Sequence, residues 1–150
     1  MKYIEIKEKD GSYSYFYYIP TFLDKNYIIK LTKWLHNMND FNKNMNYNED
    51  HIIRYQKWYQ KQKTYFCNKW KIKYKRWEAF SYDDTLEELE LYIKEKLIQN
   101  NYHKLGIDIP NINSVLMQKY LNGDHHISAH RDTDKSFGYT PTILNISLGD

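Results

Sequence analysis

The predicted fold is decided by the stretch "SVLMQKYLNGDHHISAH", residues 114–130. Its first half, "SVLMQKYL", predicts a strand, and Asn122-Gly123-Asp124 supplies the residue types that tight turns prefer. "HHISAH" at 125–130 then predicts a second strand leaving the turn, and "PTILNISLG" at 141–149 predicts a third. The C-terminal part of the chain is therefore expected to form a sheet.

Two helices are predicted ahead of this sheet. The first follows Asp24, and the second opens at Thr85-Leu86-Glu87-Glu88, which matches a capping box. Residues 37–50 have no apolar periodicity and predict a loop, and Asn100 is expected to end the second helix. Helices followed by strands predict an α+β protein. The apolar stripes that predict the helices are Ile28, Leu31, Leu35 and Met38 in the first and Leu86, Leu89, Ile93 and Leu97 in the second.

Composition limits the class of protein. The 150 residues, 41% of them hydrophobic, predict a single domain with one core, and no apolar run approaches the roughly 18 residues of a membrane span. The single Cys67 excludes an internal disulfide and cysteine-based zinc motifs, and it fits a reducing compartment. We therefore expect a monomeric intracellular protein, in the cytoplasm or the nucleus, with no membrane partner.

A basic tract, defined as residues 54–77, carries nine Lys or Arg residues and no acid. The rest of the chain contains the other 13 basic residues and all 19 acidic residues. The tract therefore has a formal charge of +9, and the rest of the chain has a formal charge of −6. Eight aromatic residues are interleaved with the charges, as expected where phosphates are neutralised and bases are stacked. The alternation over 69–75 equally fits an edge strand whose lysines prevent aggregation. The tract as a whole favours a nucleic-acid surface.

The histidine cluster raises the question of a metal site. In an extended strand His126, Ser128, His130 and Asp132 share one face, whereas His125 points to the other. His130 and Asp132 would then offer two corners of the 2-His-1-carboxylate set that holds Fe(II). A helical zinc pair of His126 and His130 is disfavoured, because Gly123 and Ile127 argue against a helix there.

The segment 112–149 resembles the AlkB family of Fe(II)- and 2-oxoglutarate-dependent dioxygenases. The resemblance is carried by the strand up to Tyr120, by Asn122-Gly123-Asp124, by His130-Arg131-Asp132-Thr133-Asp134, and by Pro141, Ile143 and Ser147-Leu148-Gly149. Weaker similarity covers the first predicted helix and Arg76-Trp77-Glu78-Ala79-Phe80-Ser81. The family implies a jelly-roll core in one domain: a strand, helix and loop at 1–53, a lid-like tract at 54–82, and a helix with the start of the jelly roll at 83–150.

The resemblance also implies an activity. Iron, 2-oxoglutarate and dioxygen would hydroxylate an N-alkyl group on a nucleobase of DNA or RNA. The hydroxylated alkyl group would then leave the base as an aldehyde. His130 and Asp132 would bind the iron, and Tyr120 the 2-oxoglutarate, with Gln118 in a position where the family usually has Asn. The resemblance implies substrate contacts for Asp134, Arg131 and Arg76, and the basic strand with Lys71, Lys73 and Lys75 lies where the family has its lid. The family's aromatic element after Arg76 is not visible, so Phe80, Tyr82 or Trp77 is expected to stack on the base instead.

The family's second iron-binding His and a later Arg that pairs with 2-oxoglutarate do not occur before Asp150. We therefore expect either an N-terminal part of a longer enzyme or a non-catalytic nucleic-acid-binding remnant of this fold. These 150 residues alone are expected to bind iron weakly, to lack 2-oxoglutarate turnover, and to leave strand edges around 143–148.

Neutralising Lys71, Lys73 and Lys75 together tests the nucleic-acid interpretation of the basic tract. The slope of log K against log salt for duplex DNA should flatten by roughly 2–3 units, about 0.9 for each phosphate that is no longer neutralised. Binding is measured by fluorescence anisotropy across a salt series. An unchanged slope would mean that these lysines only protect a strand edge.

Overall fold

The computed structural model describes residues 1–39, 41–45, 51–61, 79–105, 111–130, 132 and 142–149. Within these ranges the chain forms five strands, two α-helices and a short 3-10 helix, so the α+β class is confirmed. The residues divide into two compact units, Met1–Leu35 and His36–Asp150, which are described separately below. The single-domain organisation and the jelly roll stay predictions.

The first unit begins with an antiparallel hairpin of β1 (Lys2–Lys7) and β2 (Tyr13–Tyr18). Gly11 adopts φ +87° in the connecting turn, a conformation that favours glycine, and Asp10 accepts hydrogen bonds from the backbone and hydroxyl of Ser12. Tyr3 stacks on its cross-strand partner Tyr17 at 6.0 Å between ring centroids. Strand β2 ends two residues before Pro20.

Helix α1 (Lys25–His36) follows the hairpin and confirms the first predicted helix. The carbonyl of Asp24 accepts from the amide of Ile28 at 2.9 Å, as expected for the residue that caps the helix. Leu31 is buried, but Ile28 is exposed. The predicted apolar stripe is therefore only partly buried.

The second unit contains a three-stranded antiparallel sheet in the order β3 (Asn42–Met45), β4 (His51–Gln60), β5 (Ser114–Lys119). Strand β4 is central, and residues 56–60 are all buried. The isolated bridge between Tyr59 and Phe80 adds a further backbone contact to β4. The predicted strand at 114–121 is confirmed as β5, whereas the predicted loop at 37–50 is wrong because β3 lies within it.

Helix α2 (Asp84–Gln99) confirms the second predicted helix and its end at Asn100. The predicted capping box at Thr85 is wrong, because Asp83 is the capping residue and accepts from the amide of Leu86 at 2.9 Å. Aspartate and threonine are both common capping residues. Asp83 and Thr85 lie two positions apart, so the sequence offered two candidate caps. The apolar face buries Leu86, Ile93 and Leu97, as predicted.

Glu90 is a buried acid on the apolar side of α2, only 5% exposed. Its carboxylate pairs with Lys61 after β4 at 2.5 Å and with Lys94 one turn along the helix at 2.7 Å. Burial acts to raise the pKa of Glu90, but hydrogen bonds from the two lysines outweigh it and hold the pKa below its ordinary value. The two lysines keep the acid ionised, and the pair with Lys61 ties α2 to the end of β4.

Two predicted strands are absent from the described residues. "HHISAH" at 125–130 and the described part of "PTILNISLG", 142–149, have no regular secondary structure. In the first segment, ring nitrogens of His126 and His130 bond to the carbonyls two residues earlier, which engages acceptors that a strand ladder would use. Among the described helices, neither is both long and apolar enough to cross a membrane.

Candidate functional site: one face of β4–β5 and the loop that follows

Gln118 and Tyr120 lie two residues apart and therefore share one face of the sheet at the end of β5. The hydroxyl of Tyr120 donates to Oε1 of Gln118 at 2.5 Å. Tyr120 is 44% exposed, so the pair is open to solvent. The two residues predicted to contact 2-oxoglutarate are thus next to each other.

Arg54 of β4 faces the same pair. Tyr55 is registered with Lys119 and Gln56 with Gln118, so one more step of the register brings Arg54 opposite Tyr120. Opposed residues of antiparallel strands share a face. Partial burial lowers the pKa of Arg54, whereas its interaction with Tyr120 raises it. The guanidinium stays charged near neutral pH because its ordinary pKa is so high.

The chain turns sharply after β5. Oδ1 of Asn122 accepts from the amides of Asp124 and His125 at 3.1 and 3.3 Å, and the carbonyl of Asn122 accepts from His125 as well. The predicted turn at Asn122-Gly123-Asp124 is confirmed. Asparagine suits this position because its side chain can replace a backbone acceptor in the turn.

The loop at 125–130 is held to β4 at two points. The imidazole of His125 stacks on Tyr55 at 6.0 Å, and Nη1 of Arg54 donates to the carbonyl of His126 at 3.4 Å. Tyr55 and Arg54 are neighbours in a strand, so their side chains leave on opposite faces. The loop therefore contacts both faces of β4 near its beginning.

His130 is held in one tautomer by its own loop. Nδ1 lies 2.8 Å from the carbonyl of Ser128, and because a carbonyl can only accept, Nδ1 carries the hydrogen. In the neutral ring Nε2 then presents a lone pair. Ligand histidines in metal sites have this arrangement, with one nitrogen donating to a carbonyl and the other bound to the ion.

Nε2 of His130 faces Oδ1 of Asp132 at 3.5 Å. The separation exceeds the roughly 2.7–2.9 Å of a strong charge-assisted hydrogen bond. Two donor atoms each about 2.1 Å from one ion, the usual bond length, can be 3.5 Å apart. The separation is therefore wide for a hydrogen bond and is compatible with two ligands of one ion. The predicted pair is thus brought together without the predicted strand.

The donor set suits iron in type but is incomplete within the described residues. Imidazole and carboxylate are two of the three ligands in the facial Fe(II) set. The side chains of His130 and Asp132 are 48% and 50% exposed, which leaves room for other ligands. In the part of the chain that the structure describes, no three His, Cys, Asp or Glu side chains are grouped to hold one ion.

Phe80 and Tyr82, predicted to stack on bases, both have partners within the fold. Phe80 packs on Tyr59 at 5.8 Å, and Nζ of Lys57 lies 4.6 Å from its ring centroid. The hydroxyl of Tyr82 is buried, and burial together with the charge of Glu90 raises its pKa well above the ordinary value. Phe80 is 37% exposed, whereas the hydroxyl of Tyr82 is buried and has no hydrogen-bond partner among the described residues.

The start of the basic tract takes part in contacts within the protein. Lys57 is 9% exposed and donates to the carbonyl of Asn39, and Lys61 pairs with Glu90. Together with Arg54, three of the nine basic residues already have intramolecular partners. The nucleic-acid surface stays a prediction for the later part of the tract. The other predicted site residues lie outside the described residues: Lys71, Lys73, Lys75, Arg76, Trp77, Arg131 and Asp134.

Sequence reasoning missed Arg54 as a residue of this site. Its position at the head of a basic tract suggested a phosphate contact, and only the pairing of β4 with β5 places it beside Tyr120. Searches against protein-family models, curated proteins and solved structures found no match for this chain. The identification of the site therefore depends on its residues and their geometry.

Replacing either member of the pair tests the candidate metal site. His130→Ala or Asp132→Ala should weaken binding of Mn²⁺, used as a redox-inert substitute for Fe(II), by more than the roughly 10- to 100-fold caused by removing a group that only hydrogen-bonds to a ligand. Mn²⁺ affinity is measured by electron paramagnetic resonance of the free ion. His126→Ala is the matched control, because among the described residues its ring contacts the carbonyl of Asp124 in the same loop and not Asp132. Equal weakening in all three variants would contradict a specific site.

Proposed function

We propose that this chain belongs to an Fe(II)- and 2-oxoglutarate-dependent dioxygenase with a jelly-roll core, which removes alkyl groups from nucleobases in DNA or RNA. The proposal is supported above all by His130 and Asp132. Their facing donor atoms, 3.5 Å apart, and the Nδ1 contact of His130 to Ser128 are compatible with a pair of metal ligands. Iron bound there would allow dioxygen and 2-oxoglutarate to oxidise the alkyl group, giving succinate and carbon dioxide.

The protein's own residues would bind and orient the co-substrate. Tyr120 offers a hydroxyl donor and Gln118 an amide donor, and their mutual hydrogen bond fixes the ring of Tyr120 at the end of β5. The turn at Asn122 then directs the chain from Tyr120 to His130 within ten residues. A co-substrate with a carboxylate at one end and a metal-chelating group at the other fits that order of residues.

Nucleic acid is the proposed partner because the later part of the basic tract, residues 63–77, has six basic residues, five aromatic residues and no acid. Basic and aromatic residues together suit a base that must leave its stack to be modified. Lys71, Lys73, Lys75 and Arg76 are proposed to contact the backbone, and Asp134 and Arg131 the substrate base and its neighbourhood.

Turnover is tested by supplying the third ligand from solution. The 150-residue chain with Fe(II), ascorbate, 2-oxoglutarate and a methylated oligonucleotide should form little succinate. Added imidazole should raise succinate formation by at least about tenfold, since one nitrogen ligand would complete the facial set. Succinate and formaldehyde are quantified by mass spectrometry, with the unmethylated oligonucleotide as control.

His130→Ala and Asp132→Ala should form no succinate under either condition. Undiminished succinate in these variants would contradict the assignment. If no condition gives turnover while salt-dependent nucleic-acid binding persists, the protein is the non-catalytic binding remnant, which is the alternative function.

A further inference from the structure

The hairpin of β1 and β2 is exposed to solvent on both of its faces. Because paired residues of antiparallel strands share a face, Ile4 and Phe16 lie on one face, and Glu5 and Tyr15 lie on the other. The large hydrophobic side chains that are each 46–65% exposed are Tyr3, Ile4, Ile6, Tyr13, Tyr15, Phe16 and Tyr18. A two-stranded hairpin is marginally stable in water by itself, whereas three or more strands can form a stable sheet. The hairpin therefore has the character of one part of a larger sheet.

The outer edge of β2 presents backbone groups that point away from the hairpin. Among the described strands, β1 and β2 pair only with each other. The amide of Glu8 donates to the carbonyl of Ser12 at 2.8 Å, next to the first pair of the ladder. In an antiparallel ladder, hydrogen-bonded pairs alternate with pairs that are not hydrogen-bonded to each other. This alternation directs the backbone N–H and C=O groups of Tyr13 and Tyr15 away from β1, where another extended strand can bind them.

The two outer edges of the hairpin differ in charge. Strand β1 carries Lys2, Glu5 and Lys7, whereas β2, "YSYFYY", has neither a charged residue nor Pro. Charged side chains and Pro are among the means by which natural edge strands avoid pairing with other chains. The edge of β1 is therefore protected, and the edge of β2 is open to a further strand.

We propose that β2 pairs antiparallel with β2 of a second copy of this chain, so that two hairpins form a four-stranded sheet in a symmetric dimer. The same edge then serves on both copies, as a twofold interface requires. Since β2 has no charged residue, the contact brings no like charges together. The register that joins the outward groups of Tyr15 to those of the second copy's Tyr15 sets this residue on the twofold axis. The charged β1 strands become the outer edges of the dimer.

Single-stranded nucleic acid is the competing partner, because tyrosine rings can stack on bases. Tyr13 and Tyr15 stack on each other at 6.5 Å between ring centroids, on the face that also carries Glu5. A carboxylate in the middle of that face repels a phosphate backbone. Stacked bases would also not engage the backbone groups at the edge of β2. These observations favour a second copy, and the monomer expected from the sequence is the state that this inference replaces.

Self-association is measured by sedimentation velocity of the whole chain over a wide concentration series. The mass should rise from 18.5 kDa towards twice that value as the concentration rises. Tyr15→Pro removes an N–H that points away from β1, and with it both hydrogen bonds at the twofold axis, so the dissociation constant of the dimer should rise by at least about tenfold. Glu5→Pro is the matched control. It removes the equivalent N–H from the outer edge of β1, opposite Tyr15, and should leave the dissociation constant unchanged.

Disulfide cross-linking tests the register. In a Cys67→Ser background, Tyr15→Cys would place two thiols at the twofold axis, with Cα atoms about 5.5 Å apart, a separation that a disulfide spans. Mild oxidation should give a covalent dimer of Tyr15→Cys on a non-reducing gel and far less of Glu5→Cys. If Tyr15→Pro unfolds, as judged by circular dichroism, Tyr15→Lys replaces it in the sedimentation experiment, because it would bring two charges together at the axis. Glu5→Lys is then the control.

A mass that stays at that of the monomer at every concentration, an equal effect of Tyr15→Pro and Glu5→Pro, or equal cross-linking of Tyr15→Cys and Glu5→Cys would each overturn the proposal. So would a dimer that forms only when a single-stranded oligonucleotide is added, which would assign the hairpin to nucleic acid. None of these measurements involves iron, 2-oxoglutarate or succinate, so dimerisation and the proposed dioxygenase function are tested independently.

Discussion

The antiparallel pairing of β4 with β5 is the constraint on which the candidate site depends. Residues 55–60 pair with residues 114–119, far apart in sequence, and this register alone sets Arg54 opposite Tyr120. A shift of one residue would move Arg54, Gln118 and Tyr120 out of alignment, since neighbouring positions in a strand point to opposite faces. The pairing of β4 with both β3 and β5 restricts such a shift.

The contacts at the far end of β4 reinforce this register. The indole of Trp58 donates to the hydroxyl of Ser114 at 2.7 Å, and that hydroxyl donates to the carbonyl of Tyr59. Lys61 then pairs with the buried Glu90 of α2. A buried carboxylate is costly unless it is paired, so this contact fixes where β4 ends relative to the helix. The contacts at the far end of β4 therefore also help to keep Arg54 opposite Tyr120.

The elements that were predicted correctly are those with strong local signals. Both helices were predicted from their apolar spacing, and the turn after β5 from Asn122-Gly123. The strand at 125–130 was wrong because imidazole rings can bond to their own loop, as His126 and His130 do, and no local pattern reveals that choice. The approach of His130 to Asp132 was nevertheless predicted, since two residues of separation allow it in loop and strand alike. Arg54 could not be found, because its partners come from a non-local pairing.

The most direct test of this arrangement is paramagnetic broadening of amide NMR signals by Mn²⁺ at stoichiometric amounts. We predict that signals of His130, Tyr120 and Arg54 broaden together. Signals of Gln60 and Ser114 should broaden far less, since they lie at the other end of the strand pair, about 20 Å away along six residues. The same broadening should disappear in Asp132→Ala. Broadening confined to the acidic residues of α2, or present equally in Asp132→Ala, would contradict a metal pair placed beside the Arg54–Tyr120 face.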